Sequence, residues 1–382
     1  MLQYWSTRDS NPHIDRDLRA LTLHVISRAG FGKSFPFQGY EEKKAIQAGQ
    51  AMDYREAIGI ILENCVLLLG LGPKFLAVMS KIWLPKKLYI LQDAVVTFQN
   101  YMSNLYKDTK KLQADDNTLD NNLMTMLVKA SQDAGADGGL TESEIYGNMF
   151  VVKFAGHDTT AHTFTFAMYF LAANPDVQDW MSEEINAVLN GRLFSELDYR
   201  ADSLRFKRCL AVMHESLRLY QIVPTIRWTG DKSTTIAVNG KDYFLPVYTC
   251  VLPSYGSIQT EPSIWGDDSL EFNPSRWVVP REGSKSTPGD EDFLNYKRGT
   301  FLGWSEGNRD CPGRKFSQME FVATLAVLFA QHRVEPVRQP GETAVEARKR
   351  VTDLIENDSG PVLLLQMLHP ERAPLTWKKV AN

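Results

Sequence analysis

Cysteine is scarce in this chain and scattered. Cys65, Cys209, Cys250 and Cys311 are its four cysteines and include no Cys-x-x-Cys pair, which argues against a disulfide framework or a zinc cluster and for a reducing compartment. Long basic blocks are missing as well. Lys and Arg number 42 against 46 Asp and Glu, a net charge of −4, and this balance speaks against nucleic acid as a partner. No apolar run reaches membrane-spanning length. The most apolar stretch, Ile58 to Leu71, is interrupted by Glu63 and Asn64, so it reads as a buried or surface-inserting helix. Met1 to Ser10 is polar and shows neither a signal-peptide core nor an anchor. Internal repeats are absent. What remains is a 382-residue chain with 43% hydrophobic residues, enough for an ample globular core.

Helical spacing dominates the pattern. Asn11-Pro12 reads as an N-cap followed by proline at the first helical position, and Ile14, Leu18, Leu21 and Val25 keep one face until Gly30. Gly30-Phe31-Gly32 and Phe35-Pro36-Phe37 then form a turn-rich connection. Leu88, Leu91, Val95, Phe98, Met102 and Leu105 write a second long helix. Lys110 to Asn122 and Ser131 to Gly139 read as surface loops. Thr141 and Glu144 form a capping box opening a helix that runs to about Ala173. Another helix follows from Asn174-Pro175 to Gly191, and a further one from Asp202 to Tyr220. Asn239-Gly240, between Thr234–Val238 and Asp242–Leu245, is a type I′ hairpin signal. Pro280 to Asp292 reads as a surface excursion and Pro336 to Arg350 as a polar connection. Val362 to Met367 reads as a final strand, in a hairpin around Asp358-Ser-Gly360.

The chemistry centres on Phe301 to Gly313. Gly303 and Gly307 permit tight or left-handed turns, and Pro312-Gly313 leads into an amphipathic run from Lys315 to Phe329, along which Phe316, Glu320, Ala323 and Val327 recur. Cys311 therefore precedes a helix start, where free N–H groups and the cation of Arg309 favour a thiolate able to act as nucleophile or metal ligand. An isolated cysteine is more often a small buried hydrophobe. This one is embedded in a pattern. The segment Trp304-Ser-Glu-Gly307-Asn-Arg309-Asp-Cys311-Pro-Gly313 resembles the haem-binding loop of the cytochrome P450 family, with Trp304 where that family most often has Phe.

Earlier in the chain, Ala155-Gly156-His157-Asp158-Thr159-Thr160 interrupts a long apolar helix. A helical Gly costs roughly 1 kcal/mol relative to Ala, so it calls for a reason. Close approach of a flat ligand is one, with Asp158 and Thr159 placed to deliver protons; a kink solvated by its own side chains is the other. Alongside the cysteine loop, the segment resembles the family's oxygen-activating motif. Glu215 and Arg218 share a helix face and by themselves suggest a surface bridge. Glu271-Phe-Asn-Pro274-Ser-Arg276-Trp277 supplies a third member similar to the family's segment whose arginine joins that pair, and Pro224 to Arg227 matches a position where an arginine meets a haem propionate.

The resemblance runs across nearly the whole chain, has a filamentous-fungal texture, and implies the following. The fold is mostly α with small β-sheets, a single cytochrome P450 domain over 1–382 lacking its N-terminal helices, part of the main sheet and the usual membrane anchor. Cys311 is the axial thiolate of haem b iron, and such ligation favours O–O cleavage. Arg309 and Arg227 meet propionates, while Trp304, Gly307 and Gly313 shape the loop. Ala155 and Gly156 line the distal haem face, Asp158 and Thr159 relay protons, and Glu215, Arg218 and Arg276 brace the loop from behind. The implied reaction is insertion of one oxygen atom of O2 into an apolar organic substrate, with electrons from NADPH through a reductase. Lys297, Arg298, Arg314 and Lys315 could offer that reductase a basic face, or be ordinary solvated charge. A haem-thiolate isomerase or dehydratase without O2 activation, or a non-catalytic remnant, are the competing readings. A full-length relative is expected at the cytoplasmic face of the endoplasmic reticulum; this chain is otherwise expected in the cytosol, with membrane association only through surface segments or an N-terminal extension.

Overall fold

A computed structural model describes all residues except 35–36, 38–51, 79–84, 115–121, 133–138, 225, 282–286 and 381–382. In chain order the helices are α1 (Leu2–Ser6), α2 (Ile14–Phe31), α3 (Tyr54–Glu63), α4 (Cys65–Leu71), α5 (Pro73–Val78), α6 (Lys86–Ala114), α7 (Leu123–Gln132) and α8 (Glu142–Ala173). They continue with α9 (Pro175–Leu189), α10 (Tyr199–Asp202), α11 (Lys207–Leu219), α12 (Tyr255–Gln259), α13 (Pro262–Trp265), α14 (Arg314–Phe329) and α15 (Ala344–Asn357). The strands are β1 (Arg227–Trp228), β2 (Thr234–Val238), β3 (Lys241–Leu245), β4 (Cys250–Val251), β5 (Val278–Val279), β6 (Asp292–Phe293), β7 (His332–Pro336), β8 (Ser359–Pro361), β9 (Leu365–Met367) and β10 (Leu375–Lys379). Every sheet among the described residues is a two-stranded antiparallel pair: β1–β4, β2–β3, β5–β6, β7–β10 and β8–β9. The expected class, mostly α with small sheets, is what folds.

The chain forms two compact units, one of Arg16–Asp158 with Met1, the other of Leu2–Asp15 and Thr159–Asn382. In the first, the α6 stripe behaves as its spacing demands: Leu91, Val95, Phe98, Met102 and Leu105 are buried with Ala57, Ile58 and Ile61 of α3. Tyr54 stacks on Tyr101 at 4.1 Å, and Phe98 meets Phe150 edge-on at 5.7 Å. The Ile58–Leu71 stretch divides into α3 and α4 at Asn64, whose side-chain amide donates to the Ile60 carbonyl at 2.9 Å. No helix among the described residues is long and apolar enough to cross a membrane. Lys110–Ala114 and Ser131–Gln132 are helical rather than loop, and most of both expected loops lies outside the described residues, as do Phe35 and Pro36.

The second unit buries Phe164, Phe166 and Tyr169 of α8. Phe164 stacks on Phe321 of α14 at 4.5 Å, and the Tyr169 hydroxyl donates to the Pro370 carbonyl at 2.6 Å. The Asn239-Gly240 turn is as expected: φ values of 49° and 76° put both residues in the left-handed region that a type I′ turn requires, and Thr234–Val238 pairs with Lys241–Leu245.

Several expectations are corrected here. Asn11 is not an N-cap: its N–H donates to the Leu375 carbonyl at 2.8 Å in an isolated bridge, and the helix begins at Ile14. The Asp202–Tyr220 helix is broken at Phe206, where φ −82° and ψ 60° are not helical. α11 starts afresh at Lys207, with the Glu184 carboxylate accepting the Arg208 and Cys209 N–H groups at 2.8 and 3.2 Å. Burial raises the Glu184 carboxyl to about 7. The Pro280–Asp292 excursion returns to the interior at Glu291, which takes both Nε and Nη2 of Arg208, at 2.8 and 2.6 Å. Pro336–Arg350 conceals α15, capped by reciprocal Thr343–Glu346 bonds and buried through Ala347, Val351 and Ile355. The C-terminal hairpin turns at Val362–Leu364, and the last strand is β10, paired with β7. Along α14 the buried face is Phe321, Val322, Leu325 and Phe329, while Phe316 and Val327 are exposed. The apolar residues nearly encircle that helix, so spacing alone did not choose its face.

Candidate functional site

The cysteine loop is a set of tight turns closed by its own backbone. Ser305 N–H donates to the Leu302 carbonyl at 2.8 Å, Asp310 N–H to Gly307 at 3.2 Å, and Cys311 N–H to Trp304 at 2.9 Å. Ser305 and Gly307 adopt φ of 61° and 88°, so the glycine meets a conformational demand. Gly303 meets a steric one. A Cβ there would stand 2.6 Å from the Phe301 ring. Cys311 is exposed three residues before α14. Its thiol is pushed above its ordinary value, first by partial desolvation, against which the Gly313 amide acts as hydrogen-bond donor; Asp310 raises it further and Arg314 lowers it. The cation acting on the sulfur is therefore Arg314, not Arg309 as expected: Arg309 is exposed and its side chain makes no ion pair or hydrogen bond among the described residues.

Behind the loop lies an aromatic layer. Trp304 is buried with its indole N–H donating to Ser317 Oγ at 3.0 Å, and the Arg314 guanidinium lies 5.4 Å from its ring centre. His214 of α11 sits among Trp277, Phe293, Phe301 and Trp304, with ring centres 4.7–5.2 Å away. Burial lowers it to about 3, and its Nδ1 donates to the Leu210 carbonyl at 3.0 Å; the ring is a neutral spacer. Arg227, expected to meet a haem propionate, donates to Ser305 Oγ of the loop.

One layer deeper, the structure brings Glu215, Arg218 and Arg276 together. Glu215 accepts Arg218 through Nε and Nη2 at 2.8 Å each, Arg276 Nε at 3.0 Å, the Trp277 indole at 2.8 Å and the Asn273 N–H at 3.0 Å. Arg218 spends its remaining donors on the carbonyls of Gln259, Ser269 and Glu271 at 2.7, 2.6 and 3.1 Å. A buried carboxylate satisfied on both oxygens by charged and neutral donors is the geometry in which desolvation is offset. Gln259, which no motif singles out, joins this network to the loop: its Nε2 donates to Leu217 and Arg218 carbonyls at 3.1 and 3.0 Å, and its Oε1 accepts the Leu302 N–H at 2.7 Å. His214 was missed too, although its place beside Glu215 on α11 was a usable signal.

The Ala155–Thr160 segment is continuous helix. Its hydrogen bonds include Thr163 Oγ1 to the Thr159 carbonyl at 2.9 Å and His157 Nδ1 to the Lys153 carbonyl at 2.6 Å, the back-bonding weighed as an alternative. Gly156 faces Ile26 of α2, which comes within 3.2 Å of where a Cβ would be, so a side chain there would have to displace Ile26. Val151 and Ala155 are exposed and Thr159 half-buried, one face at four-residue spacing. Asp158 is buried and ion-paired, its Oδ1 3.1 Å from Arg19 Nε.

A loop that holds an exposed thiol under a backbone donor, braced by a buried Glu–Arg–Arg network, defines a class, and comparison with known proteins agrees. The family profile described as Cytochrome P450 matches residues 1–353, and the chain belongs to that family. It is 29% identical over 95% of its length to a cytochrome P450 monooxygenase of Arthrobotrys oligospora and 28% identical over 100% to one of Penicillium roqueforti. It is also 29% identical over 89% to the phomenoic acid biosynthesis cluster cytochrome P450 monooxygenase of Leptosphaeria maculans. These alignments span 65%, 66% and 61% of the relatives, so the chain covers somewhat under two thirds of their length. A crystal structure of a cytochrome P450, CYP102L1, superposes with a TM-score of 0.71 at 21% identity over 99% of this chain and 75% of that one, a likeness of fold.

Proposed function

We propose that the chain carries the haem-thiolate chemistry of a monooxygenase, with Cys311 as the axial ligand of haem b. The observation that carries this is the Cys311 loop: an exposed sulfur facing the Gly313 amide, on backbone pinned by Trp304 and Ser305. The residues fit the group. A thiolate ligand needs open space on one side and a hydrogen-bond donor on the other to moderate its basicity. Bound there, haem would supply one-electron and O2 chemistry.

The chain's own residues do the rest. Trp304 shields the sulfur's side of the loop, and Arg227 and Arg309 offer guanidiniums to propionates. Ala155, a small residue on an exposed helix face, leaves α8 open to a planar ligand there, while Gly156 lets α8 approach Ile26 of α2. Asp158, kept beside the Arg19 guanidinium, and Thr159 pass protons along that helix. Glu215, Arg218 and Arg276 hold the loop's base in place through Gln259. Exposed Lys297 and Lys315 give an NADPH-dependent reductase a cationic face; Arg298, paired to Glu306 at 3.5 Å, and Arg314, donating to the Tyr296 hydroxyl at 2.8 Å, contribute less. The substrate class is apolar and organic.

The test is spectroscopic. The chain expressed with haem, reduced and treated with carbon monoxide should show a strongly red-shifted Soret band, absent in Cys311→Ala with haem retained. Haem bound with an unshifted band in the parent would sink the assignment of Cys311.

A further inference from the structure

In the second unit, β7 and the first turns of α9 and α15 border a half-open cavity of about 170 Å³, several times the ~30 Å³ that a water molecule occupies in the liquid. Its floor is apolar and fixed. Gln178 of α9 clamps β7, donating to the Val334 carbonyl at 2.9 Å and accepting the Val334 N–H at 3.0 Å, and Pro175 and Ala347 complete the lining.

The charged residues around this floor are Asp179, Arg333, Glu335, Arg338 and Arg348. Both carboxylates are already engaged: Asp179 with Arg333 at 2.9 Å, and Glu335 with Lys378 at 2.5 Å. Arg338 and Arg348 make no ion pair or side-chain hydrogen bond among the described residues. Two guanidiniums thus border one cavity without a protein acceptor among the described residues, an arrangement suited to an anion. A monocarboxylate would satisfy one. A phosphate dianion has the charge and the oxygens to accept a planar fork from each.

We propose that this cavity binds inorganic phosphate or a phosphate monoester through Arg338 and Arg348. The site is independent of the cysteine loop, and its test needs no turnover. Titration calorimetry of the full chain with inorganic phosphate, at constant ionic strength in chloride, should give saturable one-to-one binding. Arg338→Gln and Arg348→Gln should each weaken it about tenfold or more, the loss of a charge-assisted contact. Arg281→Gln, a side chain paired with Asp292 outside the cavity, should leave it unchanged. Exposed Arg338 is the deciding variant if the Arg348 change impairs folding. No saturable heat, or affinity undiminished in Arg338→Gln, overturns the proposal. So does Arg338-dependent binding to phosphatidylcholine vesicles containing phosphatidic acid without binding of free phosphate, which would assign the site to a lipid headgroup.

Discussion

Glu215 in the second unit and Lys153 in the first are both 0% exposed, yet their surroundings differ in kind. Glu215 is met by Arg218, Arg276, Trp277 and the Asn273 N–H. Lys153 is met by aromatic faces: its Nζ lies 4.3, 4.1 and 4.9 Å from the ring centres of Phe31, Tyr54 and Tyr101, with no hydrogen-bond acceptor among the described residues. Desolvation brings this amine down to about 7, although ring faces favour the ammonium and work against that shift. One buried group is compensated by its partners; the other approaches neutrality. Glu320 of α14 repeats the second solution with the opposite sign, since neither oxygen has a partner among the described residues and burial lifts it to about 8. Pairing fixes geometry, as the loop above Glu215 requires. Neutralisation fixes nothing beyond its own packing.

Removing Glu215 should break this contrast most severely. Glu215→Gln leaves two arginines in a buried site without their counter-charge and should cost about 3–5 kcal/mol, read as a lower urea midpoint and impaired haem retention. An unchanged midpoint would mean that the network is not holding the loop. Lys153→Met should move stability the other way, by about 1–4 kcal/mol near neutral pH, as replacement of a poorly compensated buried charge does. The pH dependence gives a sharper reading. Between about 7 and its ordinary 10.5 the unfolded chain holds a proton on Lys153 that the folded chain lacks, so this residue makes stability rise with pH through that window. Its penalty is fully present below about 7. The parent's urea midpoint should therefore climb from pH 7 to 10 relative to Lys153→Met; parallel profiles would show that the cage keeps the ammonium charged. Tyr101→Phe should do least. The Tyr101 hydroxyl is buried without a hydrogen-bond partner, and its loss should leave stability within about 0.5 kcal/mol of the parent or slightly raised.

Legibility in the sequence followed how local each signal was. The Asn239-Gly240 turn, the Thr141–Glu144 box and the α6 stripe depend on neighbours within a turn or two, and each appears where its residues place it. The pairing of Glu215 and Arg218 with Arg276 was readable only through the family pattern, because nothing local links α11 to a segment nearly sixty residues on. α15 was concealed by charge: its Thr343–Glu346 box was present, but a face of Ala347, Val351 and Ile355 is thin among so many polar residues. Asn11 was misread because a bridge to Leu375 outcompeted its capping role.

By itself the sequence determined the helical class, the hairpin turn and the glycine-dependent loop around Cys311, since propensity, turn chemistry and spacing act over a few residues. Only the tertiary structure decided that Arg314 rather than Arg309 acts on the Cys311 sulfur, that Gln259 and His214 carry support to the loop, and that Lys153 is caged by rings. It also decided that Arg338 and Arg348 face one cavity without partners. Those outcomes depend on which distant groups share a desolvated volume, and burial sets the strength of every electrostatic interaction inside it.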